Sequence, residues 1–594
     1  MDLGRLPRPV RFALIALAAL VGLALLLPPL LAPWIGARVR SEAQQRGMRA
    51  EWRSLAFRWP LTVELRGLTV TRADDATPVL TAGHVEAAVG THGLTLHPLV
   101  RRVVLEDAHI VLPSSSMPDA DETDTTPADA DHGPSAPRVR AAADQAVQAL
   151  MIPARWLPTL RVNALTVQRG DSLFARLDAF TVTHVAGGVQ LAASGAFTSE
   201  REVPFDVAVQ WNRDDRLVGR FDFQVPVAEG RSVSMPFVLD GQLHQDRRAG
   251  VVSVGDGTKL SLGPVELRLS GQVRRSGPRV QLALETDGVT ARALQKHLPH
   301  AVLGPLADLP VAGSWDWRAS LYVNVDAPDS TRFTADVIPH GLALAGSDAK
   351  LRLGRLQGPF LAEIHVPRGI VYRDLSSANP HFRTLDRISP LLQHALLTNE
   401  DGGFYRHRGF NTEAIQLAMA ANLRSGTFKR GAGTVTMQLA RNLFLGHQRT
   451  LSRKGQEVVL AWILEHLTGL SKDRLLEIYL NIIEWGPGVH GADEAAQFYF
   501  DKNAGELTLD EALFLTVIVP SPSRWKSRVD ANGQLRPWAR AQMAYIARKM
   551  VSREWLAPEQ VPSAEALQIT LRGEAAKVFT PRDSAQTNPE PVSL

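Results

Sequence analysis

The stretch "TNEDGGFYRHRGFN", residues 398–411, places two adjacent carboxylates, Glu400 and Asp401, directly before a pair of glycines. An aromatic residue and a histidine follow shortly after the glycines. A polar loop between two helices would explain such a segment. An acid–base site would also explain it, because a positioned carboxylate can take up a proton from a reacting group. The choice between these interpretations depends on the rest of the chain.

The sequence around this stretch has the pattern of helices. From about residue 385 onward, apolar residues recur at the spacing of one helix face. Thr508 and Glu511 have the spacing of a capping box, which marks a helix start. We therefore predict that the C-terminal third is mainly helical and that the opening stretch lies at a junction between a helix and a loop. The predicted helices cover residues 412–423, 453–467, 472–485 and 509–519.

Three further segments with chemically active side chains follow. The segment "KRGAGTVTMQLARNLFLG" (429–446) begins with glycines, which give backbone freedom, and then supplies hydroxyl, amide and guanidinium groups. The segment "SRKGQE" (452–457) begins a predicted helix, and "KDRLLEIYLN" (472–481) lies on another. Hydrogen-bond donors, cations and carboxylates are thus concentrated in one region of the chain.

The cations of the segment 452–457 are unusual for the start of a helix. Arg453 and Lys454 fall in the first turn, where the helix macrodipole disfavours positive charge. One explanation is a solvated ion pair between Arg453 and Glu457. The other is that an anion binds there. Beside a carboxylate base, such cations favour the transfer of a sugar from a pyrophosphate, because they would neutralise charge that develops on the leaving group.

This region resembles the peptidoglycan glycosyltransferase family, which includes the monofunctional biosynthetic transglycosylases and the transglycosylase domain of class A penicillin-binding proteins. The family motifs are E-D-x-x-F-x-x-H-x-G, G-x-S-T-x-T-Q-Q followed by K/R-N, R-K-x-x-E and K-x-x-I-L-E-x-Y-L-N. A fifth block, "GVHGADEAAQFYFDK" (488–502), also fits, and the resemblance covers about residues 360–550. The residues that match the first four motifs are Glu400, Asp401, Phe404, His407, Gly409, Gly431, Thr434, Thr436, Gln438, Arg441, Asn442, Arg453, Lys454, Glu457, Lys472, Glu477, Tyr479, Leu480 and Asn481.

The resemblance implies a lysozyme-like helical fold and lipid II as the substrate. Glu400 would be the general base on the acceptor hydroxyl, and Glu457 would stabilise the donor side as the second catalytic residue. Phe404 would either pack to fix the loop or contact the substrate. His407 would be either a structural histidine hydrogen-bonded to the motif backbone or a substrate contact. Family members often use Mg²⁺ or Mn²⁺, although this sequence contains no dedicated metal-binding cluster. The full set of implied substrate-binding residues is Asp401, Phe404, His407, Thr434, Gln438, Arg441, Asn442, Arg453 and Lys454.

Two positions depart from the family pattern. Gly433 stands where the family has serine, and Met437 stands where it has the first glutamine of its second motif. The intact carboxylates and cations favour a working enzyme. The alternative is a catalytically weakened protein that serves as a periplasmic lipid-handling scaffold. A lytic transglycosylase or muramidase would share the helical fold and a catalytic glutamate, but it would not need Arg441, Arg453 and Lys454.

The N-terminus predicts a membrane anchor. No residue from Phe12 to Ala37 is charged, and Arg5, Arg8 and Arg11 precede this run. About 20 apolar residues suffice to cross a bilayer, and the positive-inside rule keeps the short tail in the cytoplasm. We therefore expect a single-pass protein of the bacterial inner membrane with its catalytic domain in the periplasm. A cleaved signal peptide is the alternative, although the apolar run is longer than a usual signal core.

The region between the anchor and the helices has the pattern of strands. Residues 63–72, 160–169 and 265–273 alternate apolar and polar side chains, which predicts strands with one buried face. The start of this region resembles AsmA-like periplasmic proteins. Residues 113–137 are rich in Pro, Ser, Thr and Asp, which predicts a disordered acidic loop. Calcium binding is the alternative for this loop, but its carboxylates lack the spacing and the glycine of an EF-hand.

The length and composition agree with a multidomain α+β protein. A chain of 594 residues is too long for one core. A net charge of only +4 gives no basic face for nucleic acid, and the absence of cysteine excludes thiol chemistry. The expected domains are a tail and anchor (1–37), a β-rich periplasmic domain (38–355), a glycosyltransferase domain (356–555) and a C-terminal tail (556–594).

The sequence also predicts which partners the protein has. The chain contains no K-[ST]-G motif, and too few residues follow Pro520 for a transpeptidase domain. We therefore expect an enzyme that polymerises glycan without cross-linking it. Lipid II and the nascent glycan strand are its expected partners, and other cell-wall synthases are further candidates.

Overall fold

The structure of the chain is a computed structural model. It describes residues 32–45, 47–58, 62–73, 78–92, 95–112, 151, 157–169, 172–198, 202–228, 231–275, 279–346, 350–367, 369–425, 431–446 and 450–579. The described residues form two compact units. The sheet unit contains the residues up to Val289 together with Asp316–Arg332, and the helical unit contains Thr290–Trp315 and the residues from Phe333 onward.

The sheet unit begins with a helix, α1, over residues 32–45 and continues as strands. The three strands predicted from alternation are confirmed as β3, β6 and β13. The strands are β1 (Met48–Glu51), β2 (Ser54–Arg58), β3 (Thr62–Arg72), β4 (Pro78–His92), β5 (Thr95–Leu112), β6 (Thr159–Arg169), β7 (Ser172–Val185), β8 (Gly188–Thr198), β9 (Glu202–Asn212), β10 (Arg216–Ala228), β11 (Arg231–Asp246), β12 (Val251–Leu262), β13 (Val265–Arg274) and β14 (Arg279–Val289).

Most of these strands pair with their neighbours in sequence. The strand order is β1-β3-β4-β5-β6-β7-β8-β9-β10-β11-β12-β13-β14, and β2 also pairs with β3. Every neighbouring pair is antiparallel except β5 and β6, which are parallel. Strand β11 alternates exposed and less exposed residues along its length, as expected for a strand with one covered face. The sheet has a small core on that face, made of Val182, Val189, Trp211, Leu243 and Val252.

The helical unit carries the predicted helices. Its helices are α2 (Ala291–His297), α3 (His300–Leu303), α4 (Pro390–Glu400), α5 (Thr412–Ser425), α6 (Val435–Ala440), α7 (Leu451–His466), α8 (Lys472–Ile482), α9 (Ala492–Phe500), α10 (Leu509–Ile518), α11 (Pro537–Val551) and α12 (Gly573–Ala576). The division between the units falls within β15 (Val311–Asn324), and the remaining strands are β16 (Arg332–Leu344), β17 (Phe360–Val366), β18 (Gly369–Leu375), β19 (Glu484–Gly486) and β20 (Val489–His490). The Thr508–Glu511 capping box is present at the start of α10.

One predicted helix ends earlier than expected. The pattern predicts a helix to residue 485, but α8 ends at Ile482 and Ile483 is extended. The next residues form β19, which pairs with β20. The hairpin uses backbone N–H and C=O groups for strand pairing that a longer helix would have used for its own hydrogen bonds. Strand pairing therefore overrides the helical spacing of the sequence here.

The core of the helical unit draws on residues outside the region that resembles the family. Leu303, Leu306 and Leu309 are buried in the same apolar cluster as the helices. The sequence analysis placed this segment in the β-rich domain (38–355). Leu567 and Ile569, which the sequence placed in a tail, are buried in that cluster too. The division into a large sheet and a C-terminal helical region is confirmed, whereas the lysozyme-like and AsmA-like assignments stay predictions.

Two sequence predictions fall on other parts of the chain. The acidic loop 113–137 lies outside the described residues, as does the membrane anchor up to residue 31. Among the residues that the structure describes, no helix combines the length and the apolar character needed to span a bilayer.

The segment that contains α2 and α3 packs against α7, the helix of the third motif. Gln456 on α7 donates its side-chain N–H to the carbonyl of Val302 at 2.6 Å. Gly304 has a φ of +55°, and a Cβ there would lie 2.8 Å from Gln456 Nε2. The close approach of this segment to α7 therefore requires glycine at position 304.

We expect Gly304→Ala to lower the melting temperature of the full chain. The substitution combines backbone strain at positive φ, which typically costs about 1–3 kcal/mol, with a clash against Gln456. Gly341→Ala is the control, because Gly341 has a φ of +62° but no atom of the described residues lies within 4 Å of an added Cβ. Differential scanning calorimetry should show a larger loss for Gly304→Ala. Equal losses would mean that the contact with Gln456 contributes nothing to stability.

Candidate active site

The site is built around the end of helix α4. This helix buries Leu392, Leu396 and Leu397 and ends at Glu400, where Asp401 donates its backbone N–H to the carbonyl of Leu397 at 2.9 Å. Glu400 therefore projects from the last turn of a helix. The negative end of the helix dipole lies there, which disfavours an ionised carboxylate.

Glu400 is held by two side-chain amides. Asn399 Nδ2 donates to Oε1 at 2.8 Å, and Gln438 Nε2 donates to Oε2 at 2.9 Å. Burial raises the pKa of Glu400 above its ordinary value of 4.5, while the two amides and the guanidinium of Arg441 oppose that rise. The neighbouring Asp401 contributes to the increase. A carboxylate with a raised pKa is a better proton acceptor at neutral pH than an ordinary glutamate.

The Gln438 amide is itself fixed by a residue from another helix. Tyr479 on α8 donates its hydroxyl proton to Gln438 Oε1 at 2.9 Å. The Tyr479 side chain is completely buried, and burial raises its pKa well above its ordinary value. The hydroxyl thus stays protonated and remains a donor to Gln438.

Asp401 joins two motifs inside the protein. The carboxylate is buried, and both of its oxygens lie 2.9 Å from His407 Nε2. Asp401 also accepts a hydrogen bond, at 3.0 Å, from the backbone N–H of Val435, the first residue of helix α6. Asp401 therefore connects the first motif to the start of the second, and the structure places it and His407 in an internal network.

Thr434 also has an internal position. Its side chain caps helix α6 by accepting the backbone N–H of Met437 at 3.2 Å, and its hydroxyl donates to the carbonyl of Gly409 at 2.7 Å. Thr436, which is completely buried, donates to Glu465. Both hydroxyls are therefore hydrogen-bonded within the protein. The resemblance had assigned one of them, that of Thr434, to substrate binding.

The loop after Asp401 packs tightly against its neighbours. The ring of Phe404 is buried, with Lys472 Nζ 4.3 Å from its centroid. Of the two alternatives for Phe404, packing is the one that the structure favours. Gly409 has a φ of +91°, and a Cβ there would come within 2.8 Å of the Trp462 backbone. This position accepts only glycine without a displacement of the loop or of helix α7.

The Gly-Gly pair lies in a turn, in which Phe404 donates its backbone N–H to the carbonyl of Asp401 at 3.0 Å. Neither Gly402 nor Gly403 is among the residues with positive φ. Instead, a Cβ at Gly402 would overlap the guanidinium of Arg553, and a Cβ at Gly403 would lie 2.5 Å from Asn411 Nδ2. Arg553 Nε also donates to the carbonyl of Gly402 at 3.3 Å. The glycines thus allow side chains to approach the backbone closely.

A group of cations lies beside the carboxylates. Glu457 is buried and pairs with Arg453 and, at 2.9 Å, with Lys454. Thr450 caps the helix that carries all three residues. Burial lowers the pKa of Lys454, and the charges of Arg453 and Arg441 lower it further. Arg441 therefore acts electrostatically on both Lys454 and Glu400.

Arg441 and Asn442 lie on one turn of π-helix that follows α6. Asn442 is buried, while Arg441 is partly exposed. Burial lowers the pKa of Arg441, and the charge of Glu400 counteracts this effect. The cation of the second motif thus interacts electrostatically with both the base candidate and Lys454 of the third motif.

The two departures from the family pattern differ in location. Met437 is buried on helix α6. Among the residues that the structure describes, a Cβ at Gly433 would find only Lys454 Nζ, at 3.7 Å. The missing hydroxyl at Gly433 therefore leaves open space beside a site cation.

Several site residues could not be assigned from the sequence. Tyr479 was a motif match without a role, and Asn399 and Arg553 belonged to no motif. Lys472 pairs at 2.7 Å with the buried Glu465, and this pair supports Phe404 and Thr436. The only signal for Tyr479 was its position in the fourth motif.

Other motif residues are structural. Asn481 Oδ1 accepts the backbone N–H of Arg383 at 3.0 Å, and its Nδ2 donates to the carbonyl of the same residue at 2.8 Å. Glu477 accepts the backbone N–H of Leu385 at 2.9 Å. In the fifth block, the buried Asp493 pairs with Arg383 at 2.9 Å. These contacts hold the segment that leads into helix α4.

The site does not fit a metal cage. Within the described part of the chain, His, Asp and Glu side chains form no cluster of three or more suited to a metal ion. Both oxygens of Glu457 are paired with Arg453 and Lys454. The donor set around Glu457 thus favours side-chain cations over a divalent metal.

The comparisons with known proteins agree with this geometry. The model of the Transglycosylase family matches residues 369–551. A biosynthetic peptidoglycan transglycosylase from Alcanivorax borkumensis is 42% identical over 167 residues, which cover 28% of this chain and 67% of that protein. One from Paraburkholderia xenovorans is 40% identical over 169 residues, which cover 28% of this chain and 68% of that protein. A third, from Acinetobacter baylyi, is 41% identical over 145 residues, which cover 24% of this chain and 64% of that protein.

The helical unit, with its glutamate at a helix end and its adjacent cations, defines a glycosyltransferase. The chain belongs to the transglycosylase family.

Restoring the family residue should lower stability at position 437 but not at position 433. Met437→Gln buries an amide in the core, and an unsatisfied buried polar group costs about 1–3 kcal/mol. Gly433→Ser adds a side chain where there is room for it, so its free energy of unfolding should stay close to that of the wild type. Urea unfolding of both variants measures the difference. Wild-type stability of Met437→Gln would contradict the buried position of residue 437.

Proposed function

We propose that this enzyme polymerises lipid II into β-1,4-linked glycan strands, releases undecaprenyl pyrophosphate and forms no peptide cross-links. The names of its relatives support peptidoglycan as the product. The uncharged run from Phe12 to Ala37 supports a location at the outer face of the bacterial inner membrane. A membrane-bound enzyme matches a substrate whose lipid stays in the bilayer.

The arrangement of Glu400 beside Arg441 carries this proposal. Glu400 has a raised pKa and two fixed hydrogen-bond donors. Arg441 interacts electrostatically with Glu400 and with Lys454, and Glu457 pairs with both Lys454 and Arg453. A base and a group of cations are therefore adjacent, as required for attack by a hydroxyl at a carbon that carries a pyrophosphate.

In the proposed reaction, Glu400 removes the proton from the 4-hydroxyl of the acceptor GlcNAc. The oxygen forms a bond to C1 of the lipid-linked MurNAc at the end of the growing chain. The bond between C1 and the pyrophosphate oxygen breaks, and the electron pair leaves with the pyrophosphate. Attack from the opposite side inverts the configuration from α to β.

The cations act on the leaving group. Arg441, Arg453 and Lys454 would neutralise the charge that develops on the pyrophosphate, and Glu457 would hold the last two in place. Loss of one such electrostatic contact typically costs about 10²–10³ in rate. A pyrophosphate is already a good leaving group, so the reaction does not need the strong general acid of a glycosidase.

Glu400→Gln should abolish polymerisation of lipid II by the detergent-solubilised full chain. The amide cannot accept the proton, and general-base catalysis is typically worth about 10²–10⁴ in rate. The measurement is the formation of glycan that a muramidase digests. Glu511→Gln is the control, because Glu511 lies in the same unit and pairs with Lys502 at 2.9 Å.

Two results would contradict this proposal. The first is a polymerisation rate for Glu400→Gln equal to that of the wild type. The second is release of soluble fragments from purified peptidoglycan by a chain that makes no polymer from lipid II. The second result would identify a lytic enzyme instead.

The pH dependence of the wild type should reflect the environment of Glu400. Its pKa is raised above 4.5, and only the ionised form can accept a proton. Activity should therefore be present at neutral pH and decline, as the pH falls, at a higher pH than an ordinary glutamate would allow. The measurement is kcat for lipid II polymerisation against pH. A rate that stays constant down to pH 4.5 would contradict the raised pKa.

A further inference from the structure

The structure shows a line of hydrogen bonds that joins the fourth motif to the first. It runs from Tyr479 Oη to Gln438 Oε1 at 2.9 Å and from Gln438 Nε2 to Glu400 Oε2 at 2.9 Å. The three residues lie on helices α8, α6 and α4. Tyr479 is completely buried, so it has no access to substrate.

We propose that Tyr479 is a positioning residue that sets the orientation of the Gln438 amide and thereby aims and ionises Glu400. The catalytic consequence rests on the proposed function, in which Glu400 is the base. The orienting effect concerns this chain's own residues and can be measured without substrate.

The chemistry of the three groups determines the direction of the line. An ionised carboxylate can only accept hydrogen bonds, so the NH₂ end of Gln438 must face Glu400. The carbonyl end then faces Tyr479, which must donate. If the amide rotated by half a turn, its oxygen would face the carboxylate and the two would repel each other. The tyrosine hydroxyl opposes this rotation, because it would lose its acceptor.

Helix α8 can hold the tyrosine firmly. Ser471 caps its start, and Glu477 and Asn481 bind the backbone of residues 383–385 near its end. Leu475, Leu476, Ile478 and Leu480 on the same helix are completely buried. Tyr479 is thus fixed by the core, whereas a polar side chain near the site surface would have more freedom.

Other charged groups also act on Glu400. Arg441 lowers its pKa, and Asp401 raises it. Tyr479 remains neutral because burial raises its own pKa well above the ordinary value. Among the described residues, the hydrogen bond from Gln438 is the largest influence that opposes the effect of burial on Glu400. Loss of the orienting hydroxyl should therefore raise the pKa of Glu400 further.

Tyr479→Phe tests this proposal by removing one oxygen atom. Tyr499→Phe is a matched control, because Tyr499 is also completely buried in the helical unit and its hydroxyl donates to the Trp485 carbonyl at 2.8 Å. The first readout is the titration of the Glu400 carboxyl in the full chain by infrared difference spectroscopy, with Glu400→Gln to assign the band. We expect its midpoint to rise by about one pH unit in Tyr479→Phe, since a hydrogen bond to a charged group is worth roughly that much, and to stay unchanged in Tyr499→Phe.

The second readout is lipid II polymerisation across pH. Tyr479→Phe should lower kcat about tenfold and move the acid limb of the profile to higher pH, with little change in KM. Tyr499→Phe can lower the melting temperature without either effect. If the two variants share the same titration midpoint and the same pH profile, the hydroxyl of Tyr479 serves only to stabilise the fold and the proposal is wrong.

Gln438→Met provides a second route to the same test. It keeps the volume of the side chain and removes the amide, so it should raise the midpoint at least as much as Tyr479→Phe does. Adding Tyr479→Phe to Gln438→Met should then have no further effect on the midpoint, because the tyrosine acts through the amide. Additive shifts would overturn the proposal. A wild type without polymerase activity would refute the proposed function, while the titration would still decide the role of Tyr479.

Discussion

The burial of one carboxylate at the end of a helix is the constraint on which the site depends. Glu400 lies at the C-terminal end of α4, where burial and the helix dipole both disfavour its charge. Without compensation, such a group would take up a proton and lose its use as a base. Asn399, Gln438 and Arg441 supply partial compensation. The pKa of Glu400 is therefore raised, but the carboxylate keeps partners that favour its ionised form.

Much of the motif pattern of this family is explained by internal support. Asp401 and Thr434, which the resemblance assigned to substrate binding, contact the backbone of Val435 and Gly409. These contacts hold the loop of the first motif against the helix of the second. Because a general base must be aimed to within a fraction of an ångström, a site of this kind needs such supporting contacts.

Periodicity predicted the elements well, and the structure brings residues of the first, second and fourth predicted motifs into contact. The strand β13 and the helix α10 follow directly from local patterns. The packing of Gly304 on Gln456 and the bond from Tyr479 to Gln438 could not be predicted. Both contacts join segments that are far apart in sequence. Such contacts produce no periodic pattern of apolar residues in either segment, so the sequence contains no sign of them. Burial favours packing for Phe404, whose role its motif position left open.

The charge balance at the site carries a further implication. Arg441, Arg453 and Lys454 face two carboxylates, and burial lowers the pKa of both Arg441 and Lys454. A lowered pKa means that the fold disfavours these cations as they stand. An anion bound between them would reverse that effect, because an opposite charge favours the charged form. If the ligand of this site carries phosphate, the placement of cations at the start of α7 has a physical reason. The cations then provide positive charge at the position where the leaving group develops negative charge.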